Sequence, residues 1–433
     1  MAAGHIQDRW WRDKRDENGN VVLNAKNKPV REKTDLHGKG LRYKVRYPDP
    51  NNPGKETSES FPDGKLTRAK NFLAKVQTDV LTGVYIDPDA GKATLRSYVT
   101  GWLKGQSQDA HTVQTTTRRL NAQIYPFFKE SSLESVTVVV ARDWLAWMKG
   151  NQITEAYRAQ IFDLMSAILS AAVEDKLIRS NPLRNKSIKR PKPEERKITP
   201  WQEVKIKKLH LALPHRYQVV VPLGAGAALR QMEIFGLSPD DIDRDALELH
   251  VNRQIRWIDP HPVFAPPKGG KTRVVPLGEG VLDALDDYLD TYEPVRVTLP
   301  WLEPTGKPVT VRLLIDKTDD GIGQFRGALT NNLWRGGNFL DEVWKRAFKA
   351  AGLEYTNRRD GMHALRHFCA SNWLAQGSSI KEVSEYLGHH DPGYTLRIYT
   401  HLVPSSHKRA RLASNKVFRP RRTRGVADEP GTA

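Results

Sequence analysis

Cysteine is almost missing from this chain: Cys369 is the single one among 433 residues. One thiol can build neither an internal disulfide framework nor a cysteine-cluster zinc site, and it suits a reducing compartment. No apolar run approaches the roughly 20 residues of a membrane span. The opening residues hold no apolar signal core, so secretion is not expected. Phosphate-cradling glycine loops and internal repeats are not visible either. Acidic side chains are in deficit, 50 Asp and Glu against 68 Lys and Arg, for a net charge of +18. A surplus of that size repels itself unless a polyanion neutralises it. Nucleic acid is the first candidate and an anionic membrane surface the second. The hydrophobic fraction is ordinary at 39%, and the length allows two to four domains with cores of their own.

Composition shifts divide the chain. Residues 1–90 are polar and basic. Residues 41–47 (LRYKVRY) alternate apolar and basic, the period-2 pattern of a half-exposed strand. That pattern puts Arg42, Lys44 and Arg46 on one face as candidate DNA contacts. Residues 56–61 can pair with it across the turn at 49–54, and an earlier strand can hold Trp10 and Trp11. A helix over residues 66–82 follows. Residues 92–184 read as all-helical, with helices at 93–103, 115–125, 140–149 and 156–174. The second carries the candidate DNA contacts Arg118 and Arg119 and is expected to stop at Pro126. The last presents Ile161, Leu164, Met165, Ile168 and Leu169 as an apolar stripe. Residues 185–198 hold four lysines, two arginines, two glutamates and two prolines, a composition that reads as an extended linker. Residues 199–416 form the largest unit, of mixed α/β type, with strands near 246–250 and 263–277. Residues 417–433 read as a disordered tail. The fold class is therefore multidomain, mainly α with α+β parts.

The chemistry concentrates in residues 361–402. His363 and Arg366 are three apart on a helix and share a face. His389 closes the next helix in Leu387-Gly388-His389, and Tyr399 lies ten residues further on. These residue types suit phosphodiester chemistry. The arginine fork matches phosphate oxygens, histidine donates to phosphate or moves protons near neutrality, and tyrosine can form a covalent phosphoryl link. Tyr386, Tyr394 and His401 compete with their neighbours as alternatives. His367 and His390 read as flanking, and Cys369 as a small buried hydrophobe.

The order H-x-x-R, L-G-H, Y resembles the C-terminal signature of tyrosine recombinases and phage integrases. Upstream, residues 228–242 (ALRQMEIFGLSPDDI) resemble that family's first-arginine motif and place Arg230. Lys268 in residues 267–277 (PKGGKTRVVPL) resembles its β-hairpin lysine, with Lys271 and Arg273 as competitors. Glu233, three residues past Arg230, is expected to hold its guanidinium. Two departures stand out: Met232 replaces the glycine that often precedes the acidic residue, and residues 298–335 read as a long insertion loop.

The resemblance implies a small N-terminal β-sheet arm domain, a helical SAM-like core-binding domain ending in residues 177–183 (LIRSNPL), and a catalytic domain of tyrosine-recombinase type. It implies strand exchange on double-stranded DNA attachment sites through a 3′-phosphotyrosyl link, with no metal or nucleotide cofactor. Tyr399 would be the nucleophile, Arg230 and Arg366 the phosphate clamp, and Lys268 the general acid. His363 would accept the phenol proton, and His389 would bond the scissile phosphate. The expected assembly is a homotetramer on DNA in a bacterial, nucleoid-associated setting away from membranes. A DNA-bending host factor and an excisionase are candidate accessory partners. The arm domain favours an integrase of a phage or integrative element. The alternatives are a Xer-like resolvase, a transposon recombinase and a catalytically silent DNA-binding protein.

Overall fold

The computed structural model describes residues 4–50, 54–83, 85–87, 89–193, 198–317 and 332–399, and the single positions 411, 414 and 415. Two compact units result: residues 1–108 with 115–194, and residues 109–114 with 195–433. Among the described residues no helix is long and apolar enough to cross a membrane. The expected tail at 417–433 lies outside the described residues.

The first unit opens on an antiparallel sheet in which β4 (Tyr43–Pro48) lies between β1 (His5–Asp8) and β5 (Glu56–Phe61). The alternation in β4 works as the sequence predicts. Tyr43, Val45 and Tyr47 are buried and pack with Ala69 and Val76 of helix α1 (Leu66–Leu81). Lys44 and Arg46 sit on the opposite face. A second ribbon pairs β2 (Trp11–Asp13) with β3 (Arg31–Lys33). Bridges from Arg15 to Val21 and from Leu23 to Pro29 prolong it. No apolar alternation marks this ribbon in the sequence; turns closed by the side chains of Asp16 and Asn24 shape it.

A separate apolar cluster holds α2 (Leu95–Lys104), α4 (Tyr125–Phe128), α5 (Val138–Gly150) and α6 (Glu155–Glu174), while α3 (Ala110–Arg119) adds no residue to it. The stripe on α6 is its spine, with Ile161, Met165, Ile168 and Leu169 fully buried, each side chain contributing about 1.5–3 kcal/mol. Leu164 is only partly buried at its edge. Pro126 does not stop the second helix. A π turn at Leu120–Ile124 precedes it, in which the Tyr125 N–H reaches back to the Leu120 carbonyl. The wide turn lets the helix restart with proline in its first turn, where the absent N–H costs nothing. The expected linker at 185–198 is anchored at two points. Ile188 joins the apolar cluster, and Arg190 donates to both carboxylate oxygens of Asp163 at 2.7 and 2.6 Å. The other residues of 185–193 are exposed apart from half-buried Pro191, and 194–197 lie outside the described residues.

The second unit is built around α9 (Val220–Ala225), preceded by α7 (Glu203–Ala212) and α8 (His215–Gln218). Gly224 permits its close approach to the later helix that carries Arg366, because a Cβ there would meet Leu365 at 2.8 Å. After α10 (Gln231–Phe235), a sheet of order β10-β7-β6 joins Arg273–Pro276, Glu248–Val251 and Ile242–Asp243. Strand β8 (Gln254–Ile258) forms a hairpin with β9 (His261–Ala265). Helix α11 (Glu279–Thr291) leads to the hairpin of β11 (Val295–Pro300) and β12 (Pro308–Leu313). Residues 298–300 and 308–313 of the expected insertion loop at 298–335 are thus strands. Its polar residues alternate with Val297, Leu299, Val311 and Leu313, which face the core. Leu314, Ile315, Leu333 and Trp334 are buried as well, while 318–331 lie outside the described residues. The chain closes with α12 (Gly336–Phe339), α13 (Lys345–Ala350), α14 (His363–Ala375), α15 (Ile380–Leu387) and α16 (Pro392–Tyr399).

Candidate active site

Five predicted residues arise from the ends of α10, α14, α15 and α16. Arg230 caps α10, and the Glu233 carboxylate accepts from its backbone N–H at 2.9 Å and from its Nη1 at 2.7 Å. The expected Glu233 clamp is therefore present. Glu233 is buried and also takes two bonds from Arg273, at 3.0 and 2.6 Å. Burial opposes its ionisation, but Arg273, Arg230 and Arg366 overcome that and hold the carboxyl at about 2.

Arg366 projects from the first turn of α14 into the interior and is only 1% exposed. Its Nη1 donates to the Ala228 carbonyl at 2.7 Å, and its Nη2 donates to the Leu387 carbonyl. Arg230 Nη2 donates to that same Leu387 oxygen at 3.1 Å. Two devices present these acceptors. Ala228 has φ +52°, a left-handed conformation that costs a non-glycine residue of order 1 kcal/mol. Leu387 ends α15, where the last carbonyls lack intrahelical partners and carry the negative end of the helix dipole. A Ser379–Glu382 capping box starts that helix and left-handed Gly388 ends it. Gly388 is needed twice, since a Cβ there would also meet Arg273 Cδ at 3.0 Å.

Tyr399 ends α16 and is 1% exposed, packed with Ala228, Cys369, Ala370 and Leu387. Its hydroxyl is 2.6 Å from His367 Nδ1. The histidine on the phenol is therefore His367, set aside in the sequence as flanking, and not the expected His363. Burial raises the Tyr399 pKa, and the lowering by Arg366 is smaller.

His363 opens α14 on the exposed side, its ring edge-on to His367 at 4.6 Å between centroids. Burial lowers its pKa first, and His367, Arg366, Arg230 and His389 add to the shift. The ring is therefore neutral at pH 7. His389 Nδ1 is 2.7 Å from Thr395 Oγ1, and burial with Arg366 and Arg230 brings it down to about 4.

The remaining predicted residues stand apart. Lys268 is exposed, at a double-glycine turn with φ +86° and +73°. That turn joins β9 to β10, but β9 pairs with β8 and β10 with β7. Lys268 is therefore not on a hairpin between those two strands. Arg42, expected as a DNA contact, is a structural clamp: its guanidinium donates to Asp8 and to Asp63 and is 22% exposed. Lys44 is half-buried, and Arg46 lies 3.9 Å from Glu56. Arg118 is exposed, and Arg119 donates to Gln160 at 2.9 Å.

Buried Arg366, half-buried Arg230, a tyrosine and three neutral histidines can bind a phosphodiester and move one proton beside it. The sequence model of the phage integrase family matches residues 335–405, the stretch bearing His363, Arg366, His389 and Tyr399. A XerC-like tyrosine recombinase of Caldanaerobacter subterraneus is 26% identical over 277 residues, 59% of this chain and 65% of that protein. A putative prophage phiRv2 integrase of Mycobacterium tuberculosis is 26% identical over 361 residues, 80% of this chain and 88% of that one. Residues 335–405 thus carry a phage integrase family match, and the chain is similar over most of its length to proteins named tyrosine recombinases and integrases.

Solved integrases share its fold. The Tn1549 transposon integrase in complex with transposon right end DNA aligns at TM-score 0.58 and 19% identity, over 75% of this chain and 99% of that one. A lambda integrase dimer bound to a core site aligns at TM-score 0.51 and 15% identity, over 84% and 93%. Two site residues were given other roles in the sequence reading, although signals for their place in the site exist. His367 lies four residues past His363 on the same helix face. Arg273 alternates with exposed Val274 and shares the buried face of β10 with Val275.

Proposed function

We propose that this recombinase integrates, and in reverse excises, a phage or integrative element. Tyr399 attacks a DNA phosphorus, forms a 3′-phosphotyrosyl link and releases a 5′-hydroxyl. The link conserves the bond energy, so an incoming 5′-hydroxyl can reverse the step. Arg230 and Arg366 clamp the non-bridging oxygens and stabilise the charge that develops on them. His389 donates to the same phosphate, and His363 stands on its exposed side. The observation that carries this reading is the convergence of Arg230 and Arg366 on the Leu387 carbonyl, in the cluster that also buries Tyr399. Synapsis of two duplexes needs four cleavages, hence four protomers. A direct test incubates the full chain with two attachment-site DNAs in excess chelator without ATP. Joined product is expected; joining that appears only when magnesium is restored would contradict arginine-based charge stabilisation.

Lys268 is the proposed general acid for the leaving 5′-oxygen. Its place in a turn able to meet DNA, outside the arginine cluster, supports delivery of the proton once DNA is bound. Lys268→Ala is expected to slow cleavage of ordinary DNA by about 10²–10⁴-fold. A substrate with a 5′-bridging phosphorothiolate should be cleaved nearly as fast as by the unaltered protein, because a thiolate leaves without protonation. Equal slowing on both substrates would make Lys268 a phosphate-positioning group, and rescue seen with Lys271→Ala instead would move the role by three residues.

Residues 1–90 are the proposed arm-site reader, through Lys44 and Arg46. A chain starting near Lys92 is expected to keep cleavage of nicked core DNA but to lose arm-site binding and most intermolecular integration. Gel shifts over a salt series measure this, since each lost phosphate contact flattens the salt dependence. Unchanged binding to both DNAs would favour a shorter Xer-like resolvase or transposon recombinase.

A further inference from the structure

We infer that His367 is the general base that takes the Tyr399 proton, a role that rests on Tyr399 being the nucleophile. The 2.6 Å separation of Tyr399 Oη and His367 Nδ1 is within the reach required of a base. A neutral imidazole has one donor and one acceptor nitrogen. Burial, then Arg366, brings His367 down to about 4, so its ring is neutral at pH 7. Buried Tyr399 keeps its proton. The phenol therefore donates, and the pairing assigns the Nδ1 lone pair to the hydroxyl with the proton on Nε2. His389 Nδ1 faces Thr395 instead, and His363 meets the edge of His367.

The step balances. As Oη bonds to phosphorus, its O–H bond breaks and the proton passes to Nδ1, giving an imidazolium. The P–O5′ bond breaks, and O5′ takes a proton from the proposed acid Lys268. In rejoining, His367 returns the proton to the departing phenol, so it serves both directions. The cations that keep His367 neutral do not forbid this. A bound phosphodiester brings a negative charge to Arg230 and Arg366 and offsets their field at the ring. His363, one helical turn earlier, is exposed and touches the His367 ring edge-on.

Histidine-to-asparagine exchange separates base from scaffold, because the amide oxygen can replace Nδ1 as an acceptor but cannot hold the proton. Cleavage of nicked attachment-site DNA is measured for the full chain and for His367→Asn. Each is made with tyrosine or with a more acidic fluorotyrosine at position 399, and thermal melting and gel shift monitor folding and binding. With tyrosine, His367→Asn is expected to be slower by about 10²-fold or more. With fluorotyrosine, the gap between the two proteins should shrink by about tenfold or more, since an acidic phenol needs less help. His367→Gln, judged by the same gap, serves if the asparagine variant melts early. Cleavage at the unaltered rate would overturn the inference. Faster cleavage would do so as well and would make His367 a restraint on the nucleophile. An equal defect with both tyrosines would leave His367 a positioning residue only. Adduct formation by Tyr399→Phe would instead remove the reading beneath it, whereas an inert Tyr399→Phe beside a fully active His367→Asn would remove this inference alone.

Discussion

Tyr399→Phe is expected to abolish the covalent protein–DNA adduct and all strand joining while leaving DNA binding nearly intact. The phenol oxygen is the proposed nucleophile, so its removal eliminates the reaction rather than slowing it. The structural cost is small. Phenylalanine fills the same space beside Ala228, Cys369 and Leu387, and one hydrogen bond to His367 is lost, worth about 1 kcal/mol. No charge changes, so phosphate contacts stay as they were. Denaturing gels read the adduct and native gels the binding. Cleavage by the variant would sink the assignment, and exposed Tyr394 would be the next candidate.

The second large effect is on stability. Glu233→Gln keeps the side-chain shape but removes the one negative charge that the Arg230, Arg273 and Arg366 guanidiniums share. Breaking a buried ion pair from one side costs about 3–5 kcal/mol. A loss of that order is expected in denaturant titration, together with weaker cleavage as Arg230 loses its clamp. The pH dependence follows from the depressed carboxyl. An unfolded glutamate titrates near 4.5 and the folded one at about 2. The contribution is therefore complete above about pH 4.5 and is lost as pH falls toward 2. Glu233→Gln should lack this part of the acid dependence and be less stable across the neutral range. A variant within about 0.5 kcal/mol of the unaltered protein, the range of an ordinary surface change, would show that the bracket carries no such weight.

The motif residues were legible because their chemistry is unusual in combination and their order is kept along the chain. Strand β4 and helix α6 were legible because burial follows period 2 in one and the helical repeat in the other. What stayed hidden depends on partners distant in sequence. Arg42 reads as a surface cation until Asp8 and Asp63 come beside it. Lys268 was expected on a hairpin from the resemblance of residues 267–277 to the family's β-hairpin lysine, but the strands on either side of its turn each pair with a different strand. His367 looked incidental beside Arg366, and only the position of α16 brings Tyr399 to it. The second half of the chain also shows why polarity alone misleads. Residues 298–313 look like a loop by average composition, yet alternate strand positions face the core.

The account stands most directly on where the DNA becomes attached. Nicked attachment-site duplexes that lose a short fragment on cleavage would trap the covalent intermediate of the full chain. Nuclease and protease digestion followed by mass spectrometry would then locate the nucleotide. One modified peptide is expected, with a 3′-linked nucleotide on the Tyr399 oxygen and a free 5′-hydroxyl on the partner fragment. A nucleotide on Tyr394 or another side chain, a 5′-linkage, or cleaved DNA with no attached peptide would contradict it.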